Sequence, residues 1–280
     1  MDASSSDLML IDTLIRYLYD APLRVGVPLM QKILKRTVLY DNHLANGALI
    51  VPFAGWEMPL RFGSILAEAR SVRSSAGMFD VSHMARIWFR GGESADFLNW
   101  LTTADVHKVG LNRARYTLLC DRFGGIIDDG IFYKLDRDEY LLIVNASNRD
   151  IVWNWLIQWK SEKFQTVSLE DKTPKVAMIA LQGPHSSSFL DQIAPGLSQS
   201  IGRFRCVRAN VGGIESLVGR TGYTGEDGFE IMPASEDVVK LWNLFKNLGV
   251  IQCGLASRDI LRLEAGLLLH GTDMDVNRSP

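Results

Sequence analysis

The chain has 280 residues, of which 47% are hydrophobic and 22% charged, and its formal net charge is −2. This is the composition of a globular protein with room for one large domain or two ordinary ones. A balanced charge gives no electrostatic footprint for nucleic acid or an anionic membrane, so these two classes of partner are excluded from the expectations.

The cysteines and histidines are too scattered for a disulfide framework or a metal centre. Cys120, Cys206 and Cys253 are odd in number and form no CxxC pair. None of the five histidines forms an HxxxH or HExxH pair that would present two imidazoles from one helix face. We therefore expect no metal. The longest apolar runs, 140–144 and 176–181, have the length of strands, far below the roughly 18 residues of a membrane-spanning helix.

The first 35 residues differ from the rest of the chain. After a Ser-rich start, apolar residues recur at helical spacing: Leu8, Ile11, Leu14, Ile15 and Leu18. This pattern predicts an N-terminal helical extension over residues 1–35. Four aspartates argue against a mitochondrial transit peptide, and Asp12 and Arg16 interrupt the apolar part too early for a signal peptide. A cytoplasmic protein is expected, or one of the mitochondrial matrix if the source is eukaryotic.

From Arg36 onward, helices and strands alternate. The pattern predicts helices over 64–74, 94–101 and 149–160 and from Ser257 onward, and strands over 86–89, 115–120, 140–145 and 176–181. Asn148 is expected to cap the helix that follows it. Because hairpin signals outnumber βαβ units, we predict the α+β class, with mainly antiparallel sheets and flanking helices.

The stretch Gly124–Tyr133 places two adjacent carboxylates inside a short apolar run. Burying Asp128 and Asp129 is costly, which calls for a functional reason or for turn geometry. Successive side chains of a strand point to opposite faces, so one carboxylate is expected to meet a cavity and the other a different set of donors. The alternative is that both act as turn acceptors at a hairpin end.

A second candidate is the glycine-rich loop Thr221–Glu230. It carries three carboxylates and no lysine, so it suits a ligand with hydrogen-bond donors better than a phosphate. If Phe229 enters the core, Glu230 faces the other way, into a pocket. A solvated acidic hairpin is the alternative.

Arg258 is a third candidate, because an arginine in the first turn of a helix opposes the helix dipole. An ordinary surface ion pair remains the alternative. The Ser82–His83 and His185–Ser186 pairs give little support to a hydrolase, since neither lies in a GxSxG motif.

Taken in order, these motifs resemble the aminomethyltransferase of the glycine cleavage system, the T-protein family. The matching pieces are Phe53–Trp56 with Met58 and Pro59, Phe79–Met84, Tyr116, Gly124–Asp129, Val144–Ala146, Gln182–Pro184, Thr221–Glu226, Gly228–Glu230, Ser257–Asp259 and Leu261–Gly266. Each piece is weak alone, but so many in register make the resemblance specific.

The resemblance implies a folate-binding, cloverleaf-like fold of three subdomains. It also implies an enzyme that takes the aminomethyl group from the lipoyl arm of an H-protein, releases ammonia and passes the carbon to tetrahydrofolate. Lipoylated H-protein and folate are the implied partners, with tetrahydrofolate as co-substrate, and we expect a monomer. The alternative function is that of a folate-binding relative, or an inactive fragment, that transfers nothing.

The resemblance also implies roles for individual residues. Asp129 resembles the catalytic carboxylate, with Asp128 as its structural neighbour. Glu230 and Arg258 resemble residues that hold the pterin. The remaining candidates resemble pocket lining: Tyr116, Ile131, Tyr133, Asn145 and Tyr223.

Two departures from the family pattern accompany these matches. Glu68–Ala69 stands where the family usually has Glu-His. Family members continue past the position of Pro280 into a C-terminal barrel subdomain. The expected organisation is therefore an extension over 1–35 and, over 36–280, two intertwined subdomains of a fold truncated at its C-terminus.

Overall fold

The computed structural model describes residues 33–280, so the apolar pattern from Leu8 to Leu18 that predicts the N-terminal helix lies outside the described residues. The strands are β1 (Lys35–Arg36), β2 (Leu49–Phe53), β3 (Trp56–Arg61), β4 (Gly77–Asp80), β5 (Ala85–Arg90), β6 (Ala114–Cys120), β7 (Ile126–Asp136), β8 (Glu139–Val144), β9 (Ser168–Asp171), β10 (Ile179–Gln182), β11 (Cys206–Val211), β12 (Ile214–Gly219), β13 (Gly228–Pro233) and β14 (Ile251–Cys253). The helices are α1 (Tyr40–Ala45), α2 (Ile65–Ser74), α3 (Ser94–Leu101), α4 (Arg149–Glu162), α5 (Ser186–Ile193), α6 (Leu197–Ser200), α7 (Val238–Asn247) and α8 (Leu255–Glu264).

The strands form three sheets. One has six strands in the order β11-β12-β13-β10-β4-β14, one has five in the order β6-β7-β8-β5-β9, and a small one has the order β1-β3-β2. Pairing is antiparallel except between β1 and β3 and between β4 and β14. The predicted α+β class with mainly antiparallel sheets is confirmed.

The two large sheets pack face to face, with helices on both outer sides. Between the sheets, Tyr133 and Ile143 of the five-stranded sheet belong to one buried cluster with Ala180 and Met232 of the six-stranded sheet. The outer faces carry separate clusters, one shared with α3 and α4 and the other with α5 and α7. Alternate residues of a central strand therefore face either the helices or the space between the sheets.

A short backbone ladder joins the edges of the two large sheets beside β6 and β11. The N–H of Ala114 donates to the carbonyl of Phe204 at 2.8 Å, and the N–H of Cys206 donates to the carbonyl of Asn112 at 2.9 Å. This seam fixes the spacing of the sheets at one side of the space between them.

The segment after α8, residues 267–280, which we call the C-terminal strap, crosses the hairpin that leads into β7. The N–H of Ile126 donates to the carbonyl of Arg278 at 3.0 Å. A Cβ on Gly125 would lie 2.2 Å from the carbonyl oxygen of Val276, so close approach of the strap requires glycine there. Arg262, almost fully buried, anchors the strap by an ion pair with Asp273.

No helix within residues 33–280 combines the length and apolarity needed to cross a membrane.

Candidate functional site

A cavity of about 370 Å³ opens between the two large sheets, beside the seam and under the C-terminal strap. Its walls combine aromatic and aliphatic side chains with a few convergent polar groups, which is typical of small-molecule sites. The lining residues are Met84, Tyr116, Asp129, Gly130, Ile131, Ile143, Asn145, Phe204, Thr221, Gly222, Tyr223, Glu230, Arg258, Gly266, Leu267 and Leu268.

Asp128 and Asp129 lie inside β7 and not at a hairpin end, so the turn-acceptor alternative does not apply. Asp129 is 9% exposed and lines the cavity, whereas Asp128 is fully buried and faces the opposite side of the strand. The alternation of a strand thus separates two adjacent carboxylates into two environments.

Neutral donors hold both carboxylates. The side-chain amide of Asn145 donates to Asp128 Oδ1 at 2.8 Å and to Asp129 Oδ1 at 2.7 Å. The backbone N–H of Asn145 reaches Asp128 Oδ2 at 3.0 Å, and Asn148 Nδ2 reaches Asp128 Oδ1 at 2.7 Å. The Tyr116 hydroxyl donates to Asp129 Oδ2 at 3.1 Å.

Burial dominates the ionisation of this pair because amide and hydroxyl donors bring no positive charge. Desolvation raises the pKa of Asp128 to about 6 against the opposing hydrogen bonds of Asn145 and Asn148. Desolvation also raises the pKa of Asp129, against bonds from Asn145 and Tyr116. Burial and the Asp129 charge raise the pKa of Tyr116, so this phenol stays protonated and keeps its proton available for donation. The pair is therefore poised to accept a proton or a donor from a ligand.

Glu230 enters the cavity from the six-stranded sheet. In β13, Phe229 belongs to the outer core cluster while Glu230 faces the cavity, as strand alternation requires. The hydroxyls of Thr221 and Tyr133 donate to Glu230 Oε2 at 2.5 and 3.2 Å. Within the described residues Oε1 has no hydrogen-bond partner, which leaves it available to a ligand.

Arg258 projects from the first helical turns of α8 into the same cavity. Its guanidinium stacks over the ring of Tyr223, 4.9 Å from the centroid. Its Nη1 is buried and has no hydrogen-bond partner among residues 33–280. Desolvation lowers the pKa of Arg258, although Glu230 acts in the opposite direction. The surface ion pair considered above is therefore not what this arginine forms.

The glycine loop between β12 and β13 is shaped by a buried glutamine. Gln182 Nε2 donates to the carbonyl of Thr221 at 3.1 Å, and Gln182 Oε1 accepts from the Thr224 hydroxyl at 3.0 Å. A Cβ on Gly222 would lie 1.8 Å from Gln182 Oε1, so glycine lets the loop close over this side chain and line the cavity.

Seven of the nine residues singled out from the sequence line the cavity: Tyr116, Asp129, Ile131, Asn145, Tyr223, Glu230 and Arg258. The other two, Asp128 and Tyr133, are fully buried directly behind the lining residues they contact. Burial raises the pKa of Tyr133 well above its usual value, so its hydroxyl stays a donor to Glu230.

The sequence did not predict the role that several residues have in the site. Phe204 lines the cavity with a backbone φ of 54°, a region that bulky residues rarely adopt. Asn148 was expected as a helix cap, but its side chain makes no cap bond and donates to Asp128 instead. Leu267 and Leu268 reach the cavity only because the strap folds back.

The serine–histidine pairs do not form a nucleophile and its base. Ser82 Oγ donates to the carbonyl of Met178 at 3.2 Å, and burial lowers the pKa of His83 to about 4. Ser186 Oγ donates to the carbonyl of Asp227 at 3.3 Å. In the part of the chain that the structure describes, no group of three or more His, Cys, Asp or Glu side chains is arranged to hold a metal ion.

The cavity therefore offers acceptor oxygens from Asp129 and Glu230 and one buried unpaired donor, Nη1 of Arg258, between walls that include aromatic side chains. Such a set fits a flat heterocycle that carries both N–H donors and a carbonyl acceptor. It also places a carboxylate of raised pKa where positive charge on nitrogen can be stabilised.

The comparisons with known proteins agree with this chemistry. Residues 39–280 match the family described as "GCVT N-terminal domain". An aminomethyltransferase of Thermotoga petrophila is 42% identical over 253 residues, covering 88% of this chain and 68% of the relative. One from Symbiobacterium thermophilum is 40% identical over 259 residues, covering 90% of this chain and 69% of the relative.

A solved structure is also similar. The glycine cleavage system aminomethyltransferase T of Bartonella henselae superposes with a TM-score of 0.81 at 32% identity, covering 88% of this chain and 67% of that one. With the family model matching most of its length and two curated aminomethyltransferases about 40% identical to it, the chain belongs to the GCVT family of aminomethyltransferases.

Proposed function

We propose that this chain is the aminomethyltransferase of glycine cleavage, which moves a methylene carbon from the aminomethyl-lipoyl arm of H-protein to tetrahydrofolate and releases ammonia. The observation that carries the proposal is the convergence of Asp129, Glu230 and Arg258, from two sheets and a helix, on one cavity between the sheets. Family membership supports the reaction and its two partners.

The atoms of the reaction define what the protein must do. The methylene carbon loses its bonds to the lipoyl sulfur and to the amine nitrogen and gains bonds to N5 and N10 of tetrahydrofolate. The two protons from N5 and N10 end on the sulfur and on the departing ammonia. The demands on the protein are alignment of the two substrates and movement of protons, and positioning alone can supply much of the rate.

Glu230 and Arg258 are suited to hold the pterin. Glu230 Oε1 is free while Oε2 is fixed by two hydroxyls, so the carboxylate is preorganised to accept N–H bonds from the ring. The unpaired Nη1 of Arg258 is a matching donor for a ring carbonyl. Leaving such a group unpaired in a buried site costs free energy that a ligand acceptor would recover.

Asp129 is suited to the reacting centre. Its oxygens accept from Asn145 and Tyr116, and each retains a second lone pair for a ligand N–H. Because desolvation raises its pKa, Asp129 accepts a proton more readily than a solvated carboxylate does. We assign it the orientation of the attacking amine and the stabilisation of positive charge on nitrogen.

Two intertwined subdomains over 36–280, the helical extension before them, a monomeric state and a cytoplasmic compartment remain predictions. The presence of two large sheets supports the prediction of two subdomains.

The experiment that tests the function is single-turnover transfer from aminomethylated H-protein to tetrahydrofolate, followed by ammonia release and methylenetetrahydrofolate formation. The parent is compared with Asp129→Asn and with Asp136→Asn, a matched change on the same strand outside the cavity. Transfer by the parent and by Asp136→Asn, with loss in Asp129→Asn, is the expected result. A folded parent that binds folate but transfers nothing would overturn it in favour of a non-transferring folate binder.

A further inference from the structure

His270, on the C-terminal strap, lies against the start of β7. Its Nε2 is 3.0 Å from the carbonyl oxygen of Ile126. A carbonyl can only accept, so Nε2 carries the proton of the neutral ring and Nδ1 is left as an acceptor. The contact with the backbone thus selects one tautomer of this histidine.

The Nδ1 atom of His270 selects the orientation of a second side chain. It lies 2.9 Å from Asn148 Nδ2, whose other hydrogen reaches Asp128 Oδ1 at 2.7 Å. Both hydrogens of the Asn148 amide are therefore used. With the amide turned over, its carbonyl oxygen would face Asp128 Oδ1 and His270 Nδ1, and two acceptor contacts would replace two hydrogen bonds.

Asn145 connects Asp128 to Asp129, which lines the cavity. The Asn145 amide bridges Asp128 Oδ1 and Asp129 Oδ1 at 2.8 and 2.7 Å. One continuous path of hydrogen bonds therefore runs from the Ile126 carbonyl through His270, Asn148, Asp128 and Asn145 to Asp129. Every intermediate member of the path is buried or partly buried, where a misdirected donor is costly.

We propose that His270 is a positioning residue for the Asp128–Asp129 pair. By fixing the amide of Asn148, it keeps a donor on Asp128, favours the ionised form of that carboxylate, and through Asn145 holds Asp129 in its orientation toward the cavity. The charged and titratable groups around the pair are His270 from the strap, Tyr116 from β6, Tyr223 from the glycine-rich loop and the two carboxylates themselves. The kinetic part of this inference rests on the proposed function, whereas the hydrogen-bond path does not.

The strap has other anchors, so the role of His270 can be separated from strap docking. The ion pair of Arg262 with Asp273 and the bond from Ile126 N–H to the Arg278 carbonyl both remain when the imidazole is removed. We therefore expect His270→Phe to fold and to keep the strap in place.

The first test is a carbon-13 NMR titration of the Asp128 carboxyl in the full chain. A hydrogen bond to the charged form lowers a pKa, so its loss in His270→Phe should raise the apparent pKa of Asp128 by about 0.5 to 1 unit. His270→Gln, which again offers one acceptor and one donor, should restore most of the parent value. Asp275→Asn, a strap change outside the path, should leave the titration unchanged.

The second test is kinetic. In His270→Phe the acidic limb of the transfer rate should move to higher pH and kcat should fall roughly 3- to 10-fold, with little change in KM for tetrahydrofolate, the size expected for one hydrogen bond. Combining His270→Phe with Asn148→Ala should add little to Asn148→Ala alone, because both act through one contact.

The inference is overturned if the Asp128 titration is the same in His270→Phe as in the parent, or if Asp275→Asn shifts it equally. Fully additive effects of the two substitutions would also contradict it. If the parent performs no transfer, the proposed function fails, and the NMR titration alone decides the role of His270.

Discussion

Two buried carboxylate clusters of this protein are built on opposite principles. Asp80, at the end of β4, accepts from the Thr37 hydroxyl at 2.7 Å, from His43 Nε2 at 3.0 Å and from the Ser82 N–H at 2.9 Å. Burial opposes ionisation of Asp80, but the hydrogen bonds and the His43 charge outweigh it and lower its pKa to about 2. Asp128, surrounded by amides, has a pKa raised to about 6.

The different partners of Asp80 and Asp128 suit the two carboxylates to different roles, one structural and one chemical. A buried carboxylate paired with a group that can carry positive charge stays ionised and ties chain segments together. One held only by neutral donors retains an affinity for protons, which is useful beside a cavity and costly elsewhere. Asp80 is therefore expected to matter for stability, and Asp128 with Asp129 for catalysis.

The largest effect on stability is expected at Asp80 and the groups that donate to it. Asp80→Ala leaves His43 and two other donors without their buried acceptor, and should lower the free energy of unfolding by about 3–5 kcal/mol, measured by urea denaturation. Folate affinity of the protein that remains folded should be unchanged. Loss of folate affinity without loss of stability would break the comparison.

At the cavity, Asp129→Asn should lower the transfer rate about 100- to 1,000-fold, the range seen when one preorganised charge-stabilising group is removed. Urea denaturation should show a stability change within about 1 kcal/mol, because removing a desolvated charge offsets the weakened bonds. A similar rate in the parent and the variant would remove Asp129 from the chemistry.

The pH dependence of stability should have opposite signs at the two clusters. Asp80 has a folded pKa of about 2, below its unfolded value, so its contribution of about 2–3 kcal/mol is present above pH 4 and lost as the pH falls toward 2. Asp128 has a folded pKa of about 6, so stability should fall by a similar amount as the pH rises from about 4 to 6.

Urea denaturation across pH 2–7 checks both signs. Asp128→Asn should reduce the loss of stability above pH 4, leaving the part that comes from the raised pKa of Asp129, and should leave the loss below pH 4 unchanged. The same slope in the variant and the parent would contradict the raised pKa of Asp128.

The smallest effect is expected for Tyr133, whose hydroxyl donates to Glu230 from outside the cavity. Tyr133→Phe removes one of the two hydroxyls on Glu230 Oε2 and should weaken tetrahydrofolate binding about 3- to 10-fold, as for one hydrogen bond near 1 kcal/mol. Tyr140→Phe is the matched control, since the buried Tyr140 hydroxyl has no partner among the described residues and lies in the outer core cluster. Equal effects of the two changes would show that Tyr133 acts only through packing.

The sequence predicted those features that depend on local periodicity. Alternation along a strand was enough to separate Asp128 from Asp129 and Phe229 from Glu230, and helix α3 has the predicted bounds 94–101. The same alternation put Tyr133 on the cavity side of β7, but the strand continues under Glu230, so its ring is covered. Whether a residue on the cavity face of a strand is exposed or covered depends on the segments that pack over it, and the periodicity of the strand carries no information about those segments.

Other parts of the site depend on contacts between distant segments. Asn148 has the chemistry of a helix cap, and only the approach of β7 and the strap redirects its amide to Asp128 and His270. Phe204 reaches the cavity through the seam, where residues 112–114 pair with 204–206 and where its backbone has a positive φ. The sequence around Asn148 and the sequence around Phe204 do not by themselves indicate these contacts with distant segments.

The central claim, that the cavity between the sheets binds tetrahydrofolate, is tested most directly by calorimetry on the parent, on Glu230→Gln and on Glu215→Gln, a change on the neighbouring strand β12 outside this cavity. We predict micromolar binding by the parent and by Glu215→Gln, weakened about 10- to 100-fold in Glu230→Gln by loss of a charge-assisted hydrogen bond. No binding by a folded parent, or equal affinity in all three proteins, would contradict the assignment of the cavity.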